Sequence, residues 1–124
     1  MLRDRAKKAL QKKARKGFKG YPAASVAFYG PTDRLATKMV VGILPSEFAP
    51  AEPMRKWYRD HDLRQDAAAL AEALAFIGEN GALGSVIMPE RIIGCPHEEG
   101  TDYPEGEHCP SCTFWVGRNR FAGL

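Results

Sequence analysis

The sequence predicts a small α+β domain. Its parts are a small antiparallel sheet in the order β-β-α-β, one main packed helix, a basic N-terminal helix and a C-terminal zinc-stapled loop. Three observations lead to this reading. Two short apolar runs, "AASVAFYG" and "LATKMVVGIL", flank the turn-forming "PTDR". An Ala/Leu-rich stretch with helical spacing, "DAAALAEALAFIGENG", follows them. All three cysteines then fall between positions 95 and 112.

The first element in chain order is the basic helix, in "MLRDRAKKALQKKARKGFKGYP". Leu2, Ala6, Ala9, Leu10 and Ala14 recur at spacings of three and four, which makes a narrow apolar stripe. Lys7, Lys8, Lys12, Lys13, Arg15 and Lys16 surround it, and Gly17, Gly20 and Pro22 end it. Residues 1–20 hold nine Lys or Arg against one Asp, a charge of +8. The remaining 104 residues hold nine basic and fourteen acidic side chains, a charge of −5. Residues 1–20 are therefore read as a basic arm on a mildly acidic body, 21–124, that forms a single domain. Such an arm suits phosphates or an acidic protein surface.

Val26 and Phe28, then Met39, Val40, Val41, Ile43 and Leu44, supply the β-branched and apolar residues of two strands. Gly30, Pro31, Thr32 and Asp33 form the turn between them, so a hairpin is expected. "PSEFAPAEP" is a Pro-rich connector, and "MRKWYRDHD" is read as a short helix anchored by Trp57. His61 within "RDHD" is read as part of a polar linker. In the main helix Ala67, Leu70, Ala71, Leu74 and Ile77 share a face, Asp66 caps the start and Gly81 ends it. "GSVIM" and "RIIGC" follow as one strand interrupted near Pro89, or as two short ones.

The loop 94–116 carries the chemistry. Cys95 and His97 are spaced C-x-H, and Cys109 and Cys112 are spaced C-x-x-C. Two such pairs, as in a zinc ribbon, bring four donors to one tetrahedral ion, two from each turn. His108 adjoins Cys109 and competes with His97 as the fourth ligand. An odd number of cysteines cannot pair completely within one chain, and a reducing compartment favours metal ligation over disulfides. No apolar run approaches the ~18 residues of a membrane span, and no secretory signal follows the start, so the cytoplasm is the expected location.

Two enzymatic readings compete. "HEE" followed by "CPSC" matches in part the zinc deaminase pattern, with Glu99 as proton shuttle. However, Cys95 supplies a fourth ligand where that chemistry needs a bound water. A redox dithiol at Cys109 and Cys112 would precede a helix start, which "TFWVGRNRF" does not resemble. The acidic residues Glu98, Glu99, Asp102, Glu105 and Glu107 read as a solvated rim. Phe114 and Trp115 read as cover for the metal site, whereas Phe121, Arg118 and Arg120 have the composition of a nucleic-acid contact.

The run "GCPHEEGTDYPEGEHCPSCTFWVGRNRF" resembles a family of small uncharacterised bacterial proteins with the pattern GCPHEEG, DYP, GE, CP-x-C and FW. The likeness extends more loosely over "YPAASVAFYGPTDRLATKMVVGIL". It implies a bacterial protein with a metal site at Cys95, His97, Cys109 and Cys112. The expectation is a non-enzymatic zinc protein whose basic arm contacts RNA, DNA or a ribonucleoprotein. A protein-interaction adaptor docking on an acidic partner is the alternative, and a zinc hydrolase or deaminase is the remote one.

Overall fold

The computed structural model describes residues 5–107 and 109–116. Helix α1 (Arg5–Lys16) leads into the hairpin of β1 (Ala23–Tyr29) and β2 (Lys38–Leu44), followed by β3 (Met54–Tyr58). Helix α2 (Ala67–Glu79) and the two-residue strand β4 (Val86–Ile87) complete the framework. The strands form one sheet in the order β3-β2-β1-β4. The α+β class and the hairpin stand as the sequence predicts.

The sheet differs from expectation in two respects. Residues 54–58 form a third strand, antiparallel to β2, instead of a helix. Only Trp57 of this strand is buried, so it carries none of the alternation that marks a half-buried strand. Trp57 is nevertheless the anchor that the sequence suggests. The second difference is that β4 pairs parallel to β1, which makes the sheet mixed. Past Pro89 the chain rejoins β1 through a parallel bridge between Ile92 and Phe28.

The register sorts the side chains onto two faces. Ala24, Val26 and Phe28 lie opposite Ile43, Val41 and Met39, and Met39 lies opposite Trp57. These residues are buried with Leu10, Leu63, Leu70, Ile77 and Val86 in the main core. The opposite face carries the row Tyr29, Lys38 and Tyr58, one residue from each of three adjacent strands. Burying eight or more large apolar side chains at roughly 1.5–3 kcal/mol each is the main favourable contribution to this fold.

Helix α1 packs on α2 and β4, with Ala6 and Leu10 buried. The buried face of α2 is Ala69, Leu70, Ala73 and Ile77, and Ala71 is exposed instead. With alanine on every side of this helix the apolar periodicity is nearly flat. Contact with α1 as well as with β2 then decides which residues face inward.

Asp66 caps α2: its Oδ1 accepts the Ala69 N–H at 2.9 Å, and its Oδ2 meets His61 Nε2 at 2.7 Å. The Ala69 N–H, with help from His61 and Arg59, holds the Asp66 carboxyl below its usual range against the opposing effect of burial. The same contact raises the pKa of His61. A carboxylate with a lowered folded-state pKa stabilises the protein above its unfolded value and loses that contribution as pH falls through the folded value. Asp66→Ala is therefore expected to cost about 1 kcal/mol at pH 7. Denaturant unfolding should show this difference shrinking as pH falls below 3.8, the ordinary carboxyl value.

Candidate metal centre

The four candidate ligands are delivered by a chain whose hydrogen bonds fix each turn. The Ile93 N–H donates to Phe28 O at 3.0 Å, and the Gly30 N–H donates to Gly94 O at 2.9 Å. These two bonds carry the chain along the end of β1 and place Cys95 immediately beyond it. Only glycine fits at position 30, because a Cβ there would lie 1.7 Å from the Leu35 carbonyl oxygen. Gly30 O in turn accepts the Trp115 indole N–H at 2.8 Å. One residue of the hairpin turn thus holds both ends of the loop.

Within the loop, three of the five acidic residues are structural. Glu98 N–H donates to Asp102 Oδ2 at 2.7 Å, and Gly106 N–H donates to Glu99 Oε2 at 2.8 Å. Glu98 Oε1 receives Lys56 Nζ at 2.7 Å and Lys38 Nζ at 3.3 Å. Lys56 first, then Lys38, hold the Glu98 carboxyl below its ordinary pKa, and Glu98 raises the pKa of Lys56. Lys38 is buried between the rings of Tyr29 and Tyr58, 5.6 and 5.7 Å from their centroids. Its ammonium also donates to Pro96 O at 3.0 Å, one residue from each of Cys95 and His97. The burial of this side chain is offset by Glu98 Oε1, Pro96 O and the faces of the two tyrosine rings. Sequence reading missed Lys38, read Glu98 and Asp102 only as a solvated rim, and gave Glu99 no structural role.

His97 Nδ1 lies 3.3 Å from Cys95 Sγ, 3.3 Å from Cys109 Sγ and 3.5 Å from Cys112 Sγ. All four donor atoms fall within 4.8 Å of one another. The sulfurs are nearly enclosed, with Cys112 only 3% exposed, whereas His97 faces solvent. The His97 N–H donates to Cys95 Sγ at 3.3 Å, which tightens the C-x-H turn.

Burial pushes the Cys112 thiol up to about 12, and the adjoining Cys95 and Cys109 sulfurs add to that shift. Burial is also the main reason that Cys95 is raised. Burial opposes ionisation of Cys109 too, but there the N–H groups of Ser111 and Cys112 and the neighbouring thiols prevail and lower its pKa. None of the three is in a disulfide. Three thiols pressed against one imidazole cannot ionise together without a cation among them. A tetrahedral ion with sulfur at ~2.3 Å and nitrogen at ~2.0–2.1 Å would place its nitrogen about 3.5 Å from each sulfur. The observed separations fit that tetrahedron, so Cys95, His97, Cys109 and Cys112 form a group that could hold a metal ion.

Trp115 packs against both the cysteine cluster and the main core, with Phe114 edge-on to it at 5.0 Å. Glu99, the deaminase-like candidate, is bound to the Gly106 N–H. His108, Phe121, Arg118 and Arg120 lie outside the described residues, as does Leu2.

Of the basic residues, Lys8, Lys12, Arg15 and Lys16 are exposed on α1. Lys7 and Lys13 are half-buried, and Lys7 Nζ donates to Gln65 Oε1 at 2.8 Å. No helix among the described residues is long and apolar enough to cross a membrane. Comparison with protein-family models, with curated proteins and with solved structures finds no match.

Proposed function

We propose that this protein is a non-enzymatic binding module, stapled by a structural zinc ion, whose basic helix contacts nucleic acid or a ribonucleoprotein. Zinc is favoured over other ions by the donor set, since three thiolates and one imidazole in a tetrahedral arrangement suit its preferences. When bound, the ion supplies folding energy to a loop with few apolar side chains of its own. Cys95, His97, Cys109 and Cys112 would fill all four coordination positions, leaving none for a substrate. The residues around them act as fasteners: Lys38 holds Pro96 O, and Trp115 ties the loop to Gly30.

The binding half of the proposal is carried by one observation. Lys8, Lys12, Arg15 and Lys16 fall at i, i+4, i+7 and i+8 on one exposed face of α1, with Leu10 buried opposite. None of the four has a carboxylate partner among the described residues. Uncompensated cations at this density create a local field that attracts a polyanion.

The test is a set of binding titrations on DNA at several salt concentrations. Four or five phosphate contacts would make log affinity fall against log salt with a slope of about −4. Replacing Lys8, Lys12, Arg15 and Lys16 by Gln should flatten that slope without loss of bound zinc. Absence of binding at 50 mM salt, roughly the low end of such titrations, would overturn the nucleic-acid reading, as would a variant that binds like the parent. Saturable capture of one acidic protein would then favour the adaptor.

A further inference from the structure

We infer that the segment joining α1 to β1 is a stacking platform for unpaired bases, which makes single-stranded nucleic acid the preferred ligand of the basic face. This inference rests on the polyanion reading above and adds the class of nucleic acid to it.

The segment is "GFKGYP", residues 17–22. Gly17 ends the helix, its N–H donating to Lys13 O at 3.1 Å. Phe18 and Tyr21 then stand 50% and 44% exposed, packed edge-to-face on each other with ring centroids 5.0 Å apart. Neither ring belongs to the main core or to the cysteine cluster. Two large aromatic rings half in water leave apolar ring surface available to a ligand.

The platform is also held in place. The Lys19 N–H, between the two rings in sequence, donates at 2.8 Å to the Oγ of the buried Ser85. The Ala24 N–H donates at 2.8 Å to Ser85 O. The segment is thereby pinned on both sides of Tyr21 to the start of β4. A backbone already fixed on both sides of Tyr21 has less entropy to lose when a base stacks on the rings.

Charge complementarity decides the occupant. Arg15 and Lys16 occupy the last turn of α1 immediately before the platform, and Lys19 is exposed within it. The order Arg15, Lys16, Phe18, Lys19, Tyr21 alternates cations with rings. This arrangement lets a strand lay its phosphates on the cations while its bases stack on the rings. A paired duplex keeps its base faces covered and gains only the phosphate contacts. An acidic peptide would also satisfy the cations but has no stacked planar groups to match the rings.

The experiment compares the full chain with Phe18→Ala/Tyr21→Ala, both zinc-loaded and checked for fold by circular dichroism. The probes are oligo-U, oligo-dT, a duplex DNA of equal length and inorganic polyphosphate. The full chain should bind oligo-U or oligo-dT more tightly than the duplex. The double variant should lose roughly tenfold or more on single strands, the order expected for one lost base stack. Its affinity for duplex and polyphosphate, and its salt slope, should stay within about twofold, because the phosphate contacts are untouched. Restoring aromatic faces with Phe18→Trp/Tyr21→Trp should recover the single-strand preference. Equal affinity of the full chain for single strand and duplex, or an unaffected double variant, overturns this inference and leaves the polyanion reading standing. Failure of every probe, polyphosphate included, overturns both.

Discussion

Cys112→Ser is expected to abolish stoichiometric metal binding and to melt the loop 94–116 while the sheet and α2 persist. Serine offers a hydroxyl in place of a thiolate, and the remaining donors no longer complete a tetrahedron. Ordering these 23 residues costs about 1 kcal/mol or more per residue in backbone entropy. Among the described residues the apolar return comes mainly from the cysteines, Tyr103 and Trp115. A structural zinc ion supplies on the order of 10 kcal/mol or more in small modules, and without it the balance turns against the ordered loop. Elemental analysis should fall from one zinc per chain to near none. Limited proteolysis should open the segment after Gly94, and the unfolding temperature should drop by on the order of 10 °C. Tryptophan fluorescence separates the two parts: Trp115 should move into water, whereas Trp57, 3% exposed beneath α2, should not. A variant that retains full metal and a protease-resistant loop would rule out the four-donor staple.

Leu10→Ala is expected to be the most damaging change in the N-terminal helix. Leu10 has no solvent exposure, and apart from Ala6 it is the one buried side chain of α1. Truncation removes three heavy atoms from a packed site and costs about 3 kcal/mol, roughly 12 °C for a chain of this size. The helix is short and crowded with like charges, and its side-chain hydrogen bonds to the body, from Lys7 to Gln65 and from Gln11 to Glu90, are solvent-exposed. Loss of the contact should release the Lys8, Lys12, Arg15 and Lys16 face from its fixed orientation. Metal content should be unchanged, since no ligand touches α1. Thermal unfolding with parallel zinc analysis checks both halves, and coupled loss of zinc would show the two regions to be one cooperative unit.

The sequence reveals much of this because the relevant signals are local. The C-x-H and C-x-x-C spacings, the Asp66 cap and the turn at Gly30 each involve residues a few positions apart. Local sterics and donor geometry decide them. The missed features depend on distant partners. The third strand has one buried residue, Trp57, and owes its form to pairing with β2 and to Glu72, whose carboxylate receives both the Arg55 guanidinium and the Trp57 indole. A strand with such an address leaves no period-two trace in its own residues. Lys38 is similar: its burial makes sense only beside Glu98 and Pro96, some sixty residues later. The face of α2 departs from its apolar periodicity at Ala71 because its packing against α1 is likewise a non-local fact.

The parallel pairing of β1 with β4 has a further consequence, for the order in which the chain assembles. Ala24 meets Val86 only after the hairpin, β3 and α2 have been laid down between them. Closing so long a loop costs entropy before any contact repays it, and non-local pairing of this kind is slow. The four ligands, by contrast, span only residues 95 to 112, so their closure is short-range and fast. On loop length alone, closing the sheet is the slower of the two steps. A metal held by these residues would act on the other side of the barrier: it would add contacts that need not be present when the sheet first forms, and so would lengthen the survival of the folded state.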